Sequence, residues 1–170
     1  MFLKEIFQDW SANRGNAKGR YVLASFRVAS LLEKNPILKV FFFPLYLHHK
    51  IWVSWVMGVE LQSKVVLGRG CRLYHGQGLV INSKTIIGQN CILRHSVTIG
   101  NKIEKNGMES ASPIIGDNCE IGAHSAILGP VVIGDNVTIG ALSLVISDIP
   151  TNAVALGIPA QVKRLKTELH

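Results

Sequence analysis

The sequence predicts a mainly β protein, a parallel β-solenoid behind a short helical N-terminal region, and three observations predict it. Leu61, Leu67, Leu73 and Leu79 recur every six residues, a period that fits neither a 3.6-residue helix nor an alternating strand and marks a solenoid. After a two-residue slip the series resumes at Ile87, Leu93 and Ile99. After a longer gap it continues at Ile115, Ile121, Ile127, Ile133, Ile139 and Val145. Second, four residues past the anchor the residue is usually small or β-branched: Val65, Cys71, Cys91, Val97, Cys119, Ser125, Val131, Val137, Ser143. Third, Gly follows the anchor at Gly68, Gly88, Gly100, Gly116, Gly122, Gly134 and Gly140, where the chain bends or packs closely on the next coil.

In chain order, residues 1–58 read as an α-helical region. A first helix is expected from Phe2 to about Trp10, then a loop at Ser11, Asn13, Gly15 and Asn16. A second fits Lys18 to Lys34, with Tyr21, Ala24, Val28, Leu31 and Leu32 on its apolar face and Arg20, Arg27 and Lys34 elsewhere. Asn35 before Pro36 suits a helix stop followed by a fresh start. From Ile37 to Met57 the chain is very apolar, but Lys39, His48, His49 and Lys50 leave runs too short to span a bilayer. Two readings stay open for it: a packing surface for sister subunits, or an interfacial segment whose Phe41 to Phe43, Trp52 and Trp55 lie at a headgroup boundary.

The solenoid is expected over 59–147, interrupted once by the polar segment Asn101 to Ser112. An insertion of this kind projects from one corner, either as a functional loop or as a tolerated surface excursion. Residues 148–170 read as a C-terminal extension in which Pro150, Gly157 and Pro159 end the repeat before a basic tail.

Composition narrows the function. The net charge is +7, and residues 1–58 hold eight Lys/Arg against three acids, a surplus of five that leaves two for the rest. Nucleic acid is not expected as a partner, because no binding motif accompanies the charge and the aromatics cluster with aliphatics. All three cysteines fall on the small-residue column and are expected to be buried packing residues. Their odd number, with an N-terminus that is polar too early for a signal peptide, points to a reducing, cytoplasmic setting.

For chemistry, His75 lies two residues past Leu73 and His95 two past Leu93. Their spacing of 20 is one 18-residue coil plus the slip, so the two are expected on one corner of adjacent coils. Glu60 precedes His75 by fifteen residues, three short of a coil, and its carboxylate is expected to reach the imidazole. A carboxylate on one ring nitrogen fixes the tautomer and leaves the other nitrogen free to take a proton from an acceptor hydroxyl.

At these residues a family resemblance becomes specific. The pattern of anchor, glycine, two polar residues and small residue resembles the hexapeptide repeat of the left-handed parallel β-helix. The left hand is implied by the resemblance alone, since the usual crossover rule favours the other. V-E-L-x5-L-G-x-G ahead of L-Y-H-G, then G-L-V-I-N, L-R-H-S-V-T-I-G-N and a G-x-P-A ending, resemble the serine acetyltransferase branch of the acyltransferases. Within it they look most like O-acetyltransferases of bacterial capsule and colanic-acid clusters. The likeness extends to the N-terminal NAKGRYVLASFRVASLL.

The resemblance implies His75 as catalytic base, at the histidine of a D-H-A-T-G motif, and Glu60 as its partner, at the aspartate of V-D-I-H-P. It implies acetyl-CoA as co-substrate, a homotrimer, and acceptor contacts from His95, Tyr74 and Asn82. It also implies a cofactor groove lined by Gly122, Ala123, Gly140 and Ala141, with Lys163 and Arg164 near the nucleotide phosphates. Where serine acetyltransferases carry D-R-H-P, whose Arg and His help bind the amino acid, this chain has Ser110, Ala111, Ser112 and Pro113. Where related sugar acetyltransferases carry a lysine after the last coil, it has Ser147. The missing grip on a free carboxylate favours a glycan hydroxyl over serine. The γ-type carbonic anhydrases share the fold and use three histidines, but His124 sits three past its anchor, out of column with His75 and His95, and no metal is expected.

Overall fold

The computed structural model describes residues 2–166. Three parallel sheets wind around one apolar core as a left-handed β-helix of the hexapeptide type. Sheet A is made of β1 (Val59–Leu61), β4 (Leu79–Ile81), β7 (Thr98–Gly100), β10 (Ala126–Leu128) and β13 (Leu144–Val145). Sheet B holds β2 (Val66–Leu67), β5 (Ile86–Ile87), β8 (Ile114–Ile115) and β11 (Val132–Ile133). Sheet C runs through β3 (Arg72–Leu73), β6 (Ile92–Leu93), β9 (Glu120–Ile121) and β12 (Thr138–Ile139) to β14 (Ala153–Gly157) and the antiparallel β15 (Ala160–Leu165). The ladder on sheet C thus continues to Gly157, because β14 pairs in parallel with β12.

The anchors fill the core and the three cysteines are buried among them. Burial pushes the Cys71 thiol up to about 12. The glycines after the anchors are there for coil stacking: a Cβ on Gly68 would lie 2.4 Å from the carbonyl carbon of Gly88, and one on Gly122 2.4 Å from the nitrogen of Ala141. At the turn entering sheet C, Gly70, Asn90, Asn118, Asn136 and Asn152 all take positive φ, which Asn tolerates better than most residues.

One register expectation is corrected. The ladder pairs Leu61 with Ile81 and Ile81 with Ile99, so Ile81, not Leu79, is the fourth anchor. The two-residue excess therefore lies between Leu73 and Ile81 rather than between Leu79 and Ile87. Leu79 is nonetheless buried, because β4, like β1, is three residues long and puts both of its outer residues inward.

The helical region is α1 (Phe2–Ile6), α2 (Ala17–Lys34), α3 (Pro36–Phe41), α4 (Phe43–His48) and a π-helix over His49–Val56. The first helix is shorter than expected because Asp9 and Asn13 turn inward to bond the first coil. Asp9 Oδ1 accepts from the Cys71 N–H at 2.9 Å, Asn13 Oδ1 accepts from the Leu73 N–H at 3.0 Å, and Asn13 Nδ2 donates to the Cys71 carbonyl at 2.8 Å. Asn16 caps α2 through the Gly19 N–H and donates to the Leu73 carbonyl at 2.7 Å. These side chains satisfy the otherwise unpaired edge of β3.

The face of α2 also differs from expectation. Of the expected face Leu32 is buried, but its buried companions are Gly19, Val22, Leu23, Phe26 and Ala29, together with Arg27, whereas Tyr21 is exposed. Arg27 can be buried because it pairs with Asp9 at 2.8 Å and donates to the carbonyls of Leu67 and Gly68.

Candidate functional site

The corner from sheet C into sheet A repeats once per coil. In the second, third and fourth coils it takes a single positive-φ residue, at Ser96, His124 and Leu142. In the first coil the same corner holds the two-residue excess, Tyr74 to Gly78, with positive φ at His75, Gly76 and Gly78. The extra length carries His75 out of the wall, and its imidazole is exposed. The strand that feeds this turn is the one held by Asn13 and Asn16, and the far side is tied by the Gly78 N–H to the Gly58 carbonyl at 2.8 Å.

The structure brings His75 and His95 together, with ring centroids 5.8 Å apart and planes at 79°. His124 is a correction. Its ring stands 5.0 Å from that of His95 at 88°, and its N–H donates to the His95 carbonyl at 3.2 Å. Counting from the anchor placed it out of column, but the left-handed turn at residue 124 swings its side chain back beside His95. The recurring position of Ser96 and Leu142 was the available signal. Among the described residues, no three His, Cys, Asp or Glu side chains converge as a metal set. His95 Nδ1 is buried with no hydrogen-bond partner among the described residues, an open valence of the kind that a bound group fills.

Glu60 does not make the expected contact. Its carboxylate is exposed on the outer face of β1, opposite Val80, and among the described residues no ion pair or hydrogen bond joins it to His75. The ladder sets Glu60 opposite Val80, five positions past His75, where an 18-residue coil would have set it only three past. Glu60 instead lines a polar cavity beneath the π-helix.

Tyr74 is half-buried between two guanidinium groups, 5.9 Å from Arg72 and 5.3 Å from Arg94, and Arg94 pairs with Glu120 at 2.6 Å. Asn82 lies at the opposite end of sheet A from the histidines. Its Oδ1 accepts from the Lys84 N–H and the Ser112 hydroxyl, and its Nδ2 donates to Asn101 Oδ1 at 3.2 Å. Asn82 thus ties down the base of the inserted segment, and within one chain it does not approach His75. The insert is a hairpin arm with an antiparallel bridge between Ile103 and Glu109 and with Ile103 and Met108 exposed.

Gly122, Ala123, Gly140 and Ala141 stand at the histidine corner in later coils. The Gly122 and Gly140 N–H groups are committed to the carbonyls of Ile139 and Ala155, so these glycines serve coil stacking rather than offering free donors. The N–H groups of Ala123 and Ala141 have no partner among the described residues. Lys163 and Arg164 are exposed on β15 at the top of the same sheet.

Comparison with known proteins agrees with this architecture. Residues 112–147 match the bacterial transferase hexapeptide (six repeats) family. The chain is 34% identical over 165 residues to the colanic acid biosynthesis acetyltransferase WcaB of Escherichia coli K12, covering 95% of this chain and 100% of that protein. It is also 34% identical to serine acetyltransferase 2 of Arabidopsis thaliana, covering 89% of this chain but 45% of that one. Soybean serine acetyltransferase superposes with a TM-score of 0.80 at 30% identity, over 95% of this chain and 68% of that one. The Neisseria gonorrhoeae serine acetyltransferase gives 0.80 at 28% identity, over 98% and 66%. The chain belongs to the hexapeptide-repeat family of acyltransferases, in the branch that holds the colanic acid and serine acetyltransferases.

Proposed function

We propose that this protein transfers the acetyl group of acetyl-CoA to a hydroxyl of a polysaccharide or polysaccharide precursor, with His75 as general base. The observation that carries the reading is the exposed His75 imidazole on a lengthened turn, with His95 beside it. His75 takes the proton of the acceptor hydroxyl as its oxygen attacks the thioester carbonyl. The tetrahedral adduct then collapses, the carbon–sulfur bond breaks, and the imidazolium returns the proton to the departing CoA sulfur. Glu60 is assigned as the orienting carboxylate by its motif position, a role that needs its exposed side chain to swing to His75 on substrate binding. His95 and Tyr74 are the acceptor contacts. Ala123 and Ala141 offer amides to the pantetheine arm, and Lys163 and Arg164 offer charge to the phosphates.

A sugar is favoured over serine by the segment Ser110 to Pro113. Ser110 is buried and its hydroxyl is used within the hairpin arm, and Ser112 is bonded to Asn82, so no cation there awaits an α-carboxylate. A homotrimer is supported by sheet B, whose outer face carries an exposed column of Val66, Ile86, Ile114 and Val132 on one rung line. In such an assembly the hairpin arm and Asn82 act at a neighbour's histidine corner. The work site is the cytoplasm, at the membrane face: α3 and α4 bury no residue, and their exposed apolar side chains lie beside Lys34, Lys39 and Lys50. No helix in the described residues is long and apolar enough to cross a membrane.

The test is acceptor-dependent release of CoA thiol from acetyl-CoA by wild type and His75→Ala, with capsular oligosaccharides and L-serine as acceptors. Turnover with the sugar should fall by about 10²-fold or more in the variant, with folding intact. Wild-type turnover by His75→Ala overturns the base assignment, and a preference for L-serine makes the chain a serine acetyltransferase. Absence of thioester cleavage with every acceptor makes it a non-catalytic β-helical scaffold, the alternative reading of a bare hexapeptide solenoid.

A further inference from the structure

Between the π-helix and the first coil lies a cavity of about 450 Å³, within the range of small-ligand sites. Its wall includes Tyr46, Lys50, Ser54, Trp55, Glu60 and Lys64. The π-helix explains how three of these meet. Its wider turn, seen in the Met57 N–H donating to the Trp52 carbonyl five residues back at 2.9 Å, sets residues i, i+4 and i+5 on one side. Lys50, Ser54 and Trp55 therefore face the cavity together, the buried His49 lines its inner wall, and Val53 packs into the core. The π-helix is rare, and its single-turn bulges are frequent at functional sites.

The π-helix is held in register by a buried histidine. His49 Nε2 lies 2.9 Å from the Leu61 carbonyl and Nδ1 lies 3.1 Å from the Ser25 hydroxyl. A carbonyl only accepts, so Nε2 carries the proton and Nδ1 accepts from Ser25. The cavity wall is thus clamped to the strand that carries Glu60.

The chemistry of the wall identifies a ligand class. Trp55 is 75% exposed and offers a flat π-face to the C–H edge of a sugar ring. The Ser54 and Tyr46 hydroxyls match hydroxyl groups of a sugar. Lys50 has no ion-pair partner among the described residues, and Lys64 reaches Glu33 only at 3.8 Å, so the cavity holds more positive than negative charge. We propose that this cavity binds an acidic sugar residue of the acceptor, its ring on Trp55 and its anionic group, carboxylate or phosphate, at Lys50 and Lys64. The inference rests on the glycan acetyltransferase reading and deepens it, because Glu60 stands two residues past Gly58, the residue bonded to the histidine turn.

Equilibrium binding tests it without any acetyl transfer. Tetragalacturonate supplies the carboxylate, glucose 1-phosphate the phosphate, and maltotetraose neither; tryptophan fluorescence and ligand-observed NMR read binding to the full chain. At least one acidic probe should bind saturably and more tightly than maltotetraose. Trp55→Ala and Lys50→Ala should each weaken it roughly threefold to tenfold, whereas His75→Ala should bind as wild type while losing turnover. Which acidic probe binds distinguishes uronate from phosphate. Failure of both acidic probes, equal binding of maltotetraose, or undiminished binding by Lys50→Ala overturns the proposal. So does a Trp55→Ala protein whose sedimentation changes, since Trp55 would then be a subunit contact. Binding that persists in a protein with no glycan acetylation overturns the function reading alone.

Discussion

Replacing Asn13 by Ala tests the link between the helical cap and the catalytic turn. Asn13 is buried and makes three bonds: it accepts from the Leu73 N–H at 3.0 Å and donates to the carbonyls of Cys71 at 2.8 Å and Asp9 at 2.9 Å. Alanine leaves the Leu73 N–H without a partner on the open edge of β3, at a cost of about 1–3 kcal/mol for a buried unsatisfied donor. The two carbonyls lose a donor each and add less, so we expect a total of roughly 3 kcal/mol. Leu73 is two residues before His75, so the same loss loosens the turn that presents the imidazole. We expect kcat to fall about tenfold or more, since small misplacements of reacting groups are costly, while KM for acetyl-CoA stays near wild type because Ala123 and Ala141 belong to later coils. Urea denaturation gives the stability change from the midpoint at constant m-value, and steady-state thiol release gives the kinetic split. A stability change under about 0.5 kcal/mol, the size of an ordinary surface substitution, refutes the edge-capping account. A large stability loss with unchanged kcat refutes the coupling of that cap to His75.

Excising residues 102–111 sets Ile99 and Ile115 six residues apart and restores the repeat. The thermal midpoint should move by only a few degrees while turnover falls about tenfold or more, and the opposite pattern would make the arm a purely structural element. Burial holds His49 below its ordinary range, so the unfolded chain takes up this proton first as pH falls. Wild type should lose stability progressively below about pH 6.5, and His49→Gln, which keeps a donor for Leu61, should show a flatter profile in urea titrations; parallel profiles would sink the assignment. Co-sedimentation with vesicles should require anionic lipid, weaken with added salt, and drop in a Phe41→Ser, Trp52→Ser double variant of unchanged assembly state. Loss of the trimer in that variant would show those side chains to be subunit contacts.

The six-residue period made most of the wall legible. Each core residue of a solenoid repeats the same local environment, so Ile99, Ile115 and Ile121 announce their burial by spacing alone, and the two-polar-residue turns follow between them. Asn35 and Pro36 announced a helix boundary for the same reason: capping is a local interaction, and the structure has Asn35 Oδ1 accepting from the Leu38 N–H at 3.1 Å. The histidine column was half legible, because coil arithmetic aligns His75 with His95 but carries no information about side-chain direction at a left-handed turn, which is what brings His124 to His95.

Tertiary structure decided everything that depends on contacts between segments far apart in the chain. Leu79 and Ile81 are equally apolar, and only pairing with Leu61 and Ile99 selects Ile81 as the anchor and places the extra residues under His75. Arg27 looks like a solvent-facing residue of α2 until Asp9 and two carbonyls of the second sheet enclose it. Asn13 and Asn16 sit in a stretch that reads as plain loop, yet they close the edge of the strand that presents the catalytic candidate. Local sequence sets which backbone shapes are cheap; partners nearly sixty residues away determine which of them the polar groups near His75 can satisfy.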